Sequence, residues 1–275
     1  MERIFAVNTN TYHGFSVDDA LEGVARAGFR YVEIAAVRNW TEHIMPDMPD
    51  AEIERIQAKA KELGLTFIGM SGHCNLMDAE RLNDFRANMA LAHRLGCKYI
   101  VSSTGEAHFG KDEKFADDVL AANIKALIPD LEKYNMTLAI ETHGEYGTGQ
   151  SIYNVTKLVG SDRAGVCYDT ANCVFYGGVR PEEEVLKCLP ALKYVHLKDK
   201  VGYDNVWNFP AVGKGELKLA EFIKLVEENG FAGPFSIEIE YTADFTNRPK
   251  VPEDLNVQNQ AVQDSFNHLH SLGLI

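Results

Sequence analysis

Apolar and polar positions along the chain switch repeatedly between a helical period and a strand-like one. Between Ser16 and Ala27, Val17, Ala20, Leu21, Val24 and Ala25 fall on one helical face. Ser16 supplies a hydroxyl cap with Asp19 three residues on, and Gly28 suits the left-handed residue that ends such a helix. The apolar run YVEIAAV follows. The same order of amphipathic helix, small residue and β-rich run recurs at Gly64 before LTFIGM and at Gly96 before CKYIVSS. It recurs again at Asn135 before MTLAIE and at Gly230 before the run ending FSIEIE.

This punctuation predicts strands over 4–10, 30–37, 65–71, 98–103, 136–142, 163–169, 192–198 and 234–240. Helices are predicted to start near 16, 50, 80, 113, 151, 181 and 217, with a last one over 252–272. Several strands are unbroken apolar runs, as expected of parallel strands covered on both faces. Alternating β and α elements imply right-handed crossovers in a parallel sheet. Eight such units in this length give an α/β fold of the (β/α)8 TIM barrel class, one domain over 1–275. A doubly wound open sheet is the alternative, but the G-x-G-x-x-G fingerprint after the first strand is absent. Two loops stand out: GEYGTG (144–149), whose three glycines suit mobility or close backbone approach to a ligand, and TADFTNRPKVPED (242–254), which is long enough to cover a site.

Charge narrows the partners. The chain carries 40 acidic and 27 basic residues, a net charge of −13, and no basic block. Nucleic-acid binders gain most of their affinity from cations set against phosphates, so no nucleic acid is expected as a partner. No apolar run approaches the roughly 18 residues of a membrane helix. The opening MERIFAVNTNTYHG lacks the pattern of a secretion signal, and the expected location is cytoplasmic. The five cysteines form no C-x-x-C pair and are read as reduced, buried fillers.

The candidate chemistry lies where the predicted strands end, which in this barrel class is the active face. Strand five ends AIETH (Glu141, His143), strand six CYDTAN (Asp169, Asn172), strand seven VHLKD (His196, Lys198) and strand eight SIEIE (Glu238, Glu240). His73 follows strand three, Glu106 and His108 follow strand four, and strand two carries Glu33. Carboxylates converging in a half-buried place repel one another, and a divalent cation removes that conflict. Three carboxylates and one imidazole suit Mn²⁺, Mg²⁺ or Co²⁺. Glu238 and Glu240 share a face, and only one need bind metal; Glu238 is preferred.

The segments IETHG, GVCYDTANCVFYGG, YVHLKD, GKGEL and FAGPFSIEIE, in that order, resemble the xylose isomerase-like barrel family. That group holds sugar (phosphate) isomerases and epimerases, inosose dehydratases, hydroxypyruvate isomerases and, more distantly, endonuclease IV. The resemblance covers the whole chain and is most specific over 136–240. It implies one divalent metal, Mn²⁺ first with Mg²⁺, Co²⁺ or Zn²⁺ as alternatives, held by Glu141, Asp169, His196 and Glu238. The endonuclease members carry further histidines. Here Asn172 stands at one such place and VGYDNVWNFPAVGKG contains none, which argues against DNA hydrolysis.

The isomerase and epimerase members imply a sugar or polyol-derived substrate gripped through an α-hydroxy carbonyl. Proton abstraction would pass through a metal-stabilised enediolate, with Glu141 and Glu238 as the acid–base pair. A dehydratase of the inosose or dehydroshikimate type is the alternative. His73, His108, His143, Asn172, Lys198 and Lys214 are the candidate substrate-binding residues. Tyr12, Phe109, Trp207 and Phe209 are candidate walls. Association into a homo-oligomer is implied by resemblance only.

Overall fold

In this computed structural model, residues 3–105 and 116–275 are described. Eight strands lie parallel: β1 (Phe5–Asn8), β2 (Tyr31–Val37), β3 (Thr66–Ser71), β4 (Tyr99–Ser102), β5 (Thr137–Glu141), β6 (Ala164–Asp169), β7 (Leu192–Leu197) and β8 (Phe235–Ile237). Neighbours pair in sequence order, and β1 pairs with both β2 and β8, which closes the ring. Helices connect the strands on the outside, giving the (β/α)8 barrel expected from the periodicity. Each observed strand lies within its predicted run.

The punctuation works as the residues dictate. Ser16 and Asp19 form a reciprocal capping box at the start of Val17–Ala27, and Gly28 ends that helix at φ 104°. Asn135 takes the same left-handed role at φ 49° before β5. Inside the barrel, Val101, Ala139, Cys167 and Tyr194 pack together with Tyr99 against them. Gly69 on β3 makes that packing feasible: a Cβ there would meet the Tyr194 hydroxyl at 3.1 Å. All five cysteines are free and buried.

Threonines stitch the strand ends where the ladder runs out. Thr9 Oγ1 accepts from Ala35 N (2.8 Å), Thr11 Oγ1 from Ile239 N (3.0 Å) and Thr142 Oγ1 from Asp169 N (2.9 Å). Thr170 Oγ1 accepts from Lys198 N (3.0 Å) and donates to Lys198 O (2.7 Å). These bonds satisfy buried backbone groups while letting the chain leave the sheet, and they tie these strand ends to one another.

Among the described residues, three short strands in two pairings escaped the periodicity because two residues carry no period: Thr41–Glu42, which turns back on β2, and Asn208–Phe209, which pairs with Tyr241–Thr242. The last ties the loop after β7 to the loop after β8. The 242–254 stretch forms a short helix, Ala243–Asn247, and Lys250 Nζ donates to the carbonyls of Phe245 and Thr246. The 144–149 loop is packed: Thr148 caps Gly149–Val159, and a Cβ at Gly147 would lie 2.7 Å from Tyr176 Cβ. No described helix is long and apolar enough to cross a membrane.

Candidate metal centre and active site

Register sets the site. Asp169, the last residue of β6, pairs with His196 on β7, and His196 pairs with Ser236 on β8. Tyr194 and His196 are two apart on one strand and so share the inward face. Glu141 ends β5 and Glu238 lies just past β8. Each of Glu141, Asp169, His196 and Glu238 offers a ligand atom, and the four atoms all lie within 4.8 Å of one another. The Nδ1 atom of His196 is the nitrogen facing the group, at 2.7 Å from Glu141 Oε1, 3.7 Å from Glu238 Oε2 and 3.9 Å from Asp169 Oδ2.

A cation fits the donors present. Asp169 is fully buried; its Oδ1 accepts from the backbone N–H groups of Ala171 and Asn172, both at 2.8 Å, but its Oδ2 has no hydrogen-bond partner. A buried carboxylate oxygen without a hydrogen bond is costly unless something positive meets it closely, and Lys198 Nζ and His196 Nδ1 each stand 3.9 Å away. Three carboxylates with one imidazole are a donor set suited to a divalent ion such as Mn²⁺, Mg²⁺, Co²⁺ or Zn²⁺. Between Glu238 and Glu240, the geometry puts Glu238 in the cluster, while Glu240 turns to Lys198.

The acids do not titrate alike. Burial pushes the Asp169 carboxyl up to about 7, and the charges of Glu141 and Glu238 add to that push against Lys198. Burial would also raise Glu141, but the adjoining His196 and His73 outweigh it and hold this carboxyl well below the usual range. Burial raises Glu240, with Lys198 opposing. Such a division between neighbouring carboxyls is a common feature of sites that run acid–base chemistry.

Lys198 resolves the two charges that follow the apolar run YVHL. Its buried ammonium lies 3.2 Å from Glu238 Oε2 and 3.9 Å from Asp169 Oδ2, bonds Glu240, and sits 4.7 Å from the centre of the Phe209 ring. Burial works against its charge, and Glu238, Glu240 and Asp169 more than restore it. Asp199 points elsewhere: its carboxylate accepts from the N–H groups of Gly213 (2.8 Å), Gly215 (3.0 Å) and Leu217 (3.2 Å). It thereby folds the GKGEL turn.

Around the cluster, His73 Nε2 lies 2.9 Å from Glu141 Oε2, and His143 Nε2 lies 3.2 Å from the Tyr176 hydroxyl. Burial lowers His143 to about 4 and leaves it a neutral imidazole. His73, His143, Asn172 and Lys198 line one pocket with Glu141, Glu238 and Trp207. Phe209 packs edge-on against Trp207 and against Phe175. Lys214 does not join them. Its side chain is 61% exposed and its Nζ lies 3.6 Å from Asp264 Oδ2, because Asp199 holds the turn by its backbone and turns the lysine outward. Tyr12 also lies away from the pocket, its hydroxyl donating to Asn259 Oδ1 at 3.0 Å. Glu106, His108, Phe109 and the helix start near 113 fall outside the described residues.

Sequence reasoning missed the polar groups of β1 and β2 that hold the acids. Asn10 Nδ2 donates to Glu238 Oε1 (2.8 Å), and its Oδ1 accepts from Thr41 Oγ1 (2.7 Å) and Trp40 Nε1 (3.0 Å). Glu33 has a neighbour that its place in strand two does not reveal: both its oxygens lie 3.1 Å from His196 Nε2. The signal was present as two amides in NTN at the end of β1 and one acid inside the apolar run YVEIAAV.

A family profile described as the xylose isomerase-like TIM barrel matches residues 21–261. The chain belongs to that family. Among curated proteins, this xylose isomerase-like barrel is similar to the 3-oxo-isoapionate decarboxylase of Pectobacterium atrosepticum, with 27% identity over 185 residues. That match covers 65% of this chain and spans 59% of the relative's length. Among solved structures it resembles the D-allulose 3-epimerase of Methylomonas sp. in complex with D-allulose (TM-score 0.72, 18% identity, 98% of each chain). It also resembles the IOLI protein with a bound zinc atom (TM-score 0.74, 15% identity, 97% of each chain). At these identities the two structures speak for the fold.

Proposed function

We propose that this barrel is a divalent-metal-dependent isomerase or epimerase acting on a sugar or related α-hydroxy carbonyl compound. The observation that carries the reading is the pair Glu141 and Glu238. They are the outer members of a four-residue cluster on consecutive strand ends, and they keep different company. Glu141 Oε2 faces His73, whereas Glu238 meets Asn10 and Lys198. One acid can take a proton from the carbon beside a carbonyl while the other returns it, each contributing typically about 10²–10⁴-fold. Glu141, Asp169, His196 and Glu238 would hold the cation, which when bound supplies Lewis-acid polarisation of the carbonyl. His73, His143, Asn172 and Lys198 would meet the substrate's oxygens, and Trp207 would wall it in. The sugar epimerases of the same fold support this reading.

Lys198 and the likeness to a decarboxylase favour a second reading, loss of carbon dioxide from a 3-oxo acid. An ammonium beside the cluster would steady the negative charge that such a step leaves on the carbonyl oxygen. The dehydratase alternative starts from the same proton abstraction and differs only in the leaving hydroxide.

The test is a screen of the Mn²⁺-loaded protein in D₂O against ketoses, keto polyols and 3-oxo acids, read by mass spectrometry. Deuterium entry at the carbon beside the carbonyl is expected, and Glu141→Gln and Glu238→Gln are each expected to cut its rate by at least about 10²-fold. Carbon dioxide release before exchange would favour the second reading. Neither event across the panel would sink both.

A further inference from the structure

Glu33 takes no part in the proton chemistry proposed above, yet it is wholly buried in the middle of β2 and lies against the central imidazole. Its Oε1 and Oε2 are both 3.1 Å from Nε2 of His196, the nitrogen turned away from the cluster. A neutral imidazole offers a lone pair on one nitrogen only when the other carries the proton. Two carboxylate oxygens at Nε2 keep the proton there and leave Nδ1 as the donor facing Glu141, Asp169 and Glu238.

The acid is itself held in place. Ser71 Oγ donates to Glu33 Oε1 at 2.6 Å, and Asn8 Nδ2 donates to Ser71 Oγ at 3.1 Å. Asn8 and Glu33 are paired across β1 and β2, so the relay runs along the barrel's register rather than through mobile loops. A buried carboxylate costs several kcal/mol of desolvation, which an aliphatic side chain in the same strand would avoid. Its placement on the far nitrogen of the cluster's one histidine gives that cost a purpose.

We propose that Glu33 is a positioning residue. It fixes the tautomer and orientation of His196 and strengthens Nδ1 as a donor, so that metal affinity depends on a side chain touching neither cation nor substrate. This inference rests on the metal reading of the cluster. Outer partners of this kind typically change metal affinity by about 10–100-fold.

The experiment measures the Mn²⁺ dissociation constant of the metal-stripped full-length chain by calorimetry, for wild type, Glu33→Gln and Ser71→Ala. Zn²⁺-loaded samples labelled with ¹⁵N-histidine report which ring nitrogen of His196 carries the proton. Glu33→Gln keeps the shape and one acceptor oxygen but loses the charge. It is expected to weaken binding by about 10–100-fold and to shift the Nε2–H resonance. Ser71→Ala leaves the charge but frees the carboxylate, and is expected to weaken binding less, in the same direction. Should Glu33→Gln fail to fold, Ser71→Ala carries the test alone. Wild-type affinity in the folded variants overturns the inference and leaves the metal reading standing. No binding by the wild-type chain overturns the metal reading, and this inference with it.

Discussion

The two halves of the barrel mouth are built from different chemistry. Strands β5 to β8 contribute the charges: Glu141, Asp169, His196, Lys198, Glu238 and Glu240. Strands β1 to β3 and the turn after β1 contribute mostly amides and hydroxyls: Asn10 donates to Glu238, Asn8 to Ser71, and Ser71 to Glu33, an acid that itself lies against His196. The charged half has the composition of a cation site. The other half determines which way each oxygen and ring nitrogen faces. A reactive constellation and its support thus sit on opposite arcs of one ring, and closure of the sheet brings them into contact.

The comparison breaks most sharply at Lys198. Its ammonium compensates Glu240 and Glu238 in a buried place, and removing one partner of such a pair typically costs about 3–5 kcal/mol. Lys198→Met is expected to lower the unfolding free energy of the metal-free protein by about that amount in urea titrations. Adding Glu240→Gln should restore much of the loss, because the orphaned acid is then gone; additive losses would show that the two side chains are not coupled.

A smaller effect is expected on the opposite arc. Asn10→Ala removes the amide that donates to Glu238 and leaves Thr41 and Trp40 without their shared acceptor. A loss of about 1–3 kcal/mol in stability is expected from the unsatisfied buried groups. If Asn10 also orients Glu238 for proton transfer, deuterium exchange should slow in kcat with little change in KM. An unchanged exchange rate would reduce the arc to scaffolding.

The smallest effect sharpens the boundary of the site. Lys214 lies 61% exposed beside Asp264, and Lys214→Ala is expected to change stability by less than about 0.5 kcal/mol. Its KM for whichever substrate the screen identifies should match the wild type. A large rise in KM would return this lysine to the substrate.

Much of the frame was legible because it is periodic. Gly28 and Asn135 end helices before strands, and the runs at 137–141 and 192–197 are apolar whichever neighbour they pair with. Four strand-end residues stood out because acids and a histidine are expensive at such places. The supporting arc was less legible for a physical reason. Asn8, Asn10 and Ser71 are polar residues common in any loop, and only register shows that Asn8 lies beside Glu33. Lys214 lies apart from the cluster for a different reason. A lysine between glycines suggests an anion site, but Asp199 binds the turn through its amides and leaves nothing to aim the ammonium inward. Glu33 was visible as an acid in an apolar strand, yet its partner lies 163 residues away, beyond any local pattern.

The Tyr194 ring, seated in the space that Gly69 leaves, lies edge-on to the His196 ring with their centres 5.9 Å apart. On the proposed function, an ion and its substrate would both reach the cluster from the loop-ringed end of the barrel rather than past that ring. Loading order would then become a property of the architecture: on that reading the ion settles before the sugar, and a tightly held sugar slows the escape of the ion to a chelator.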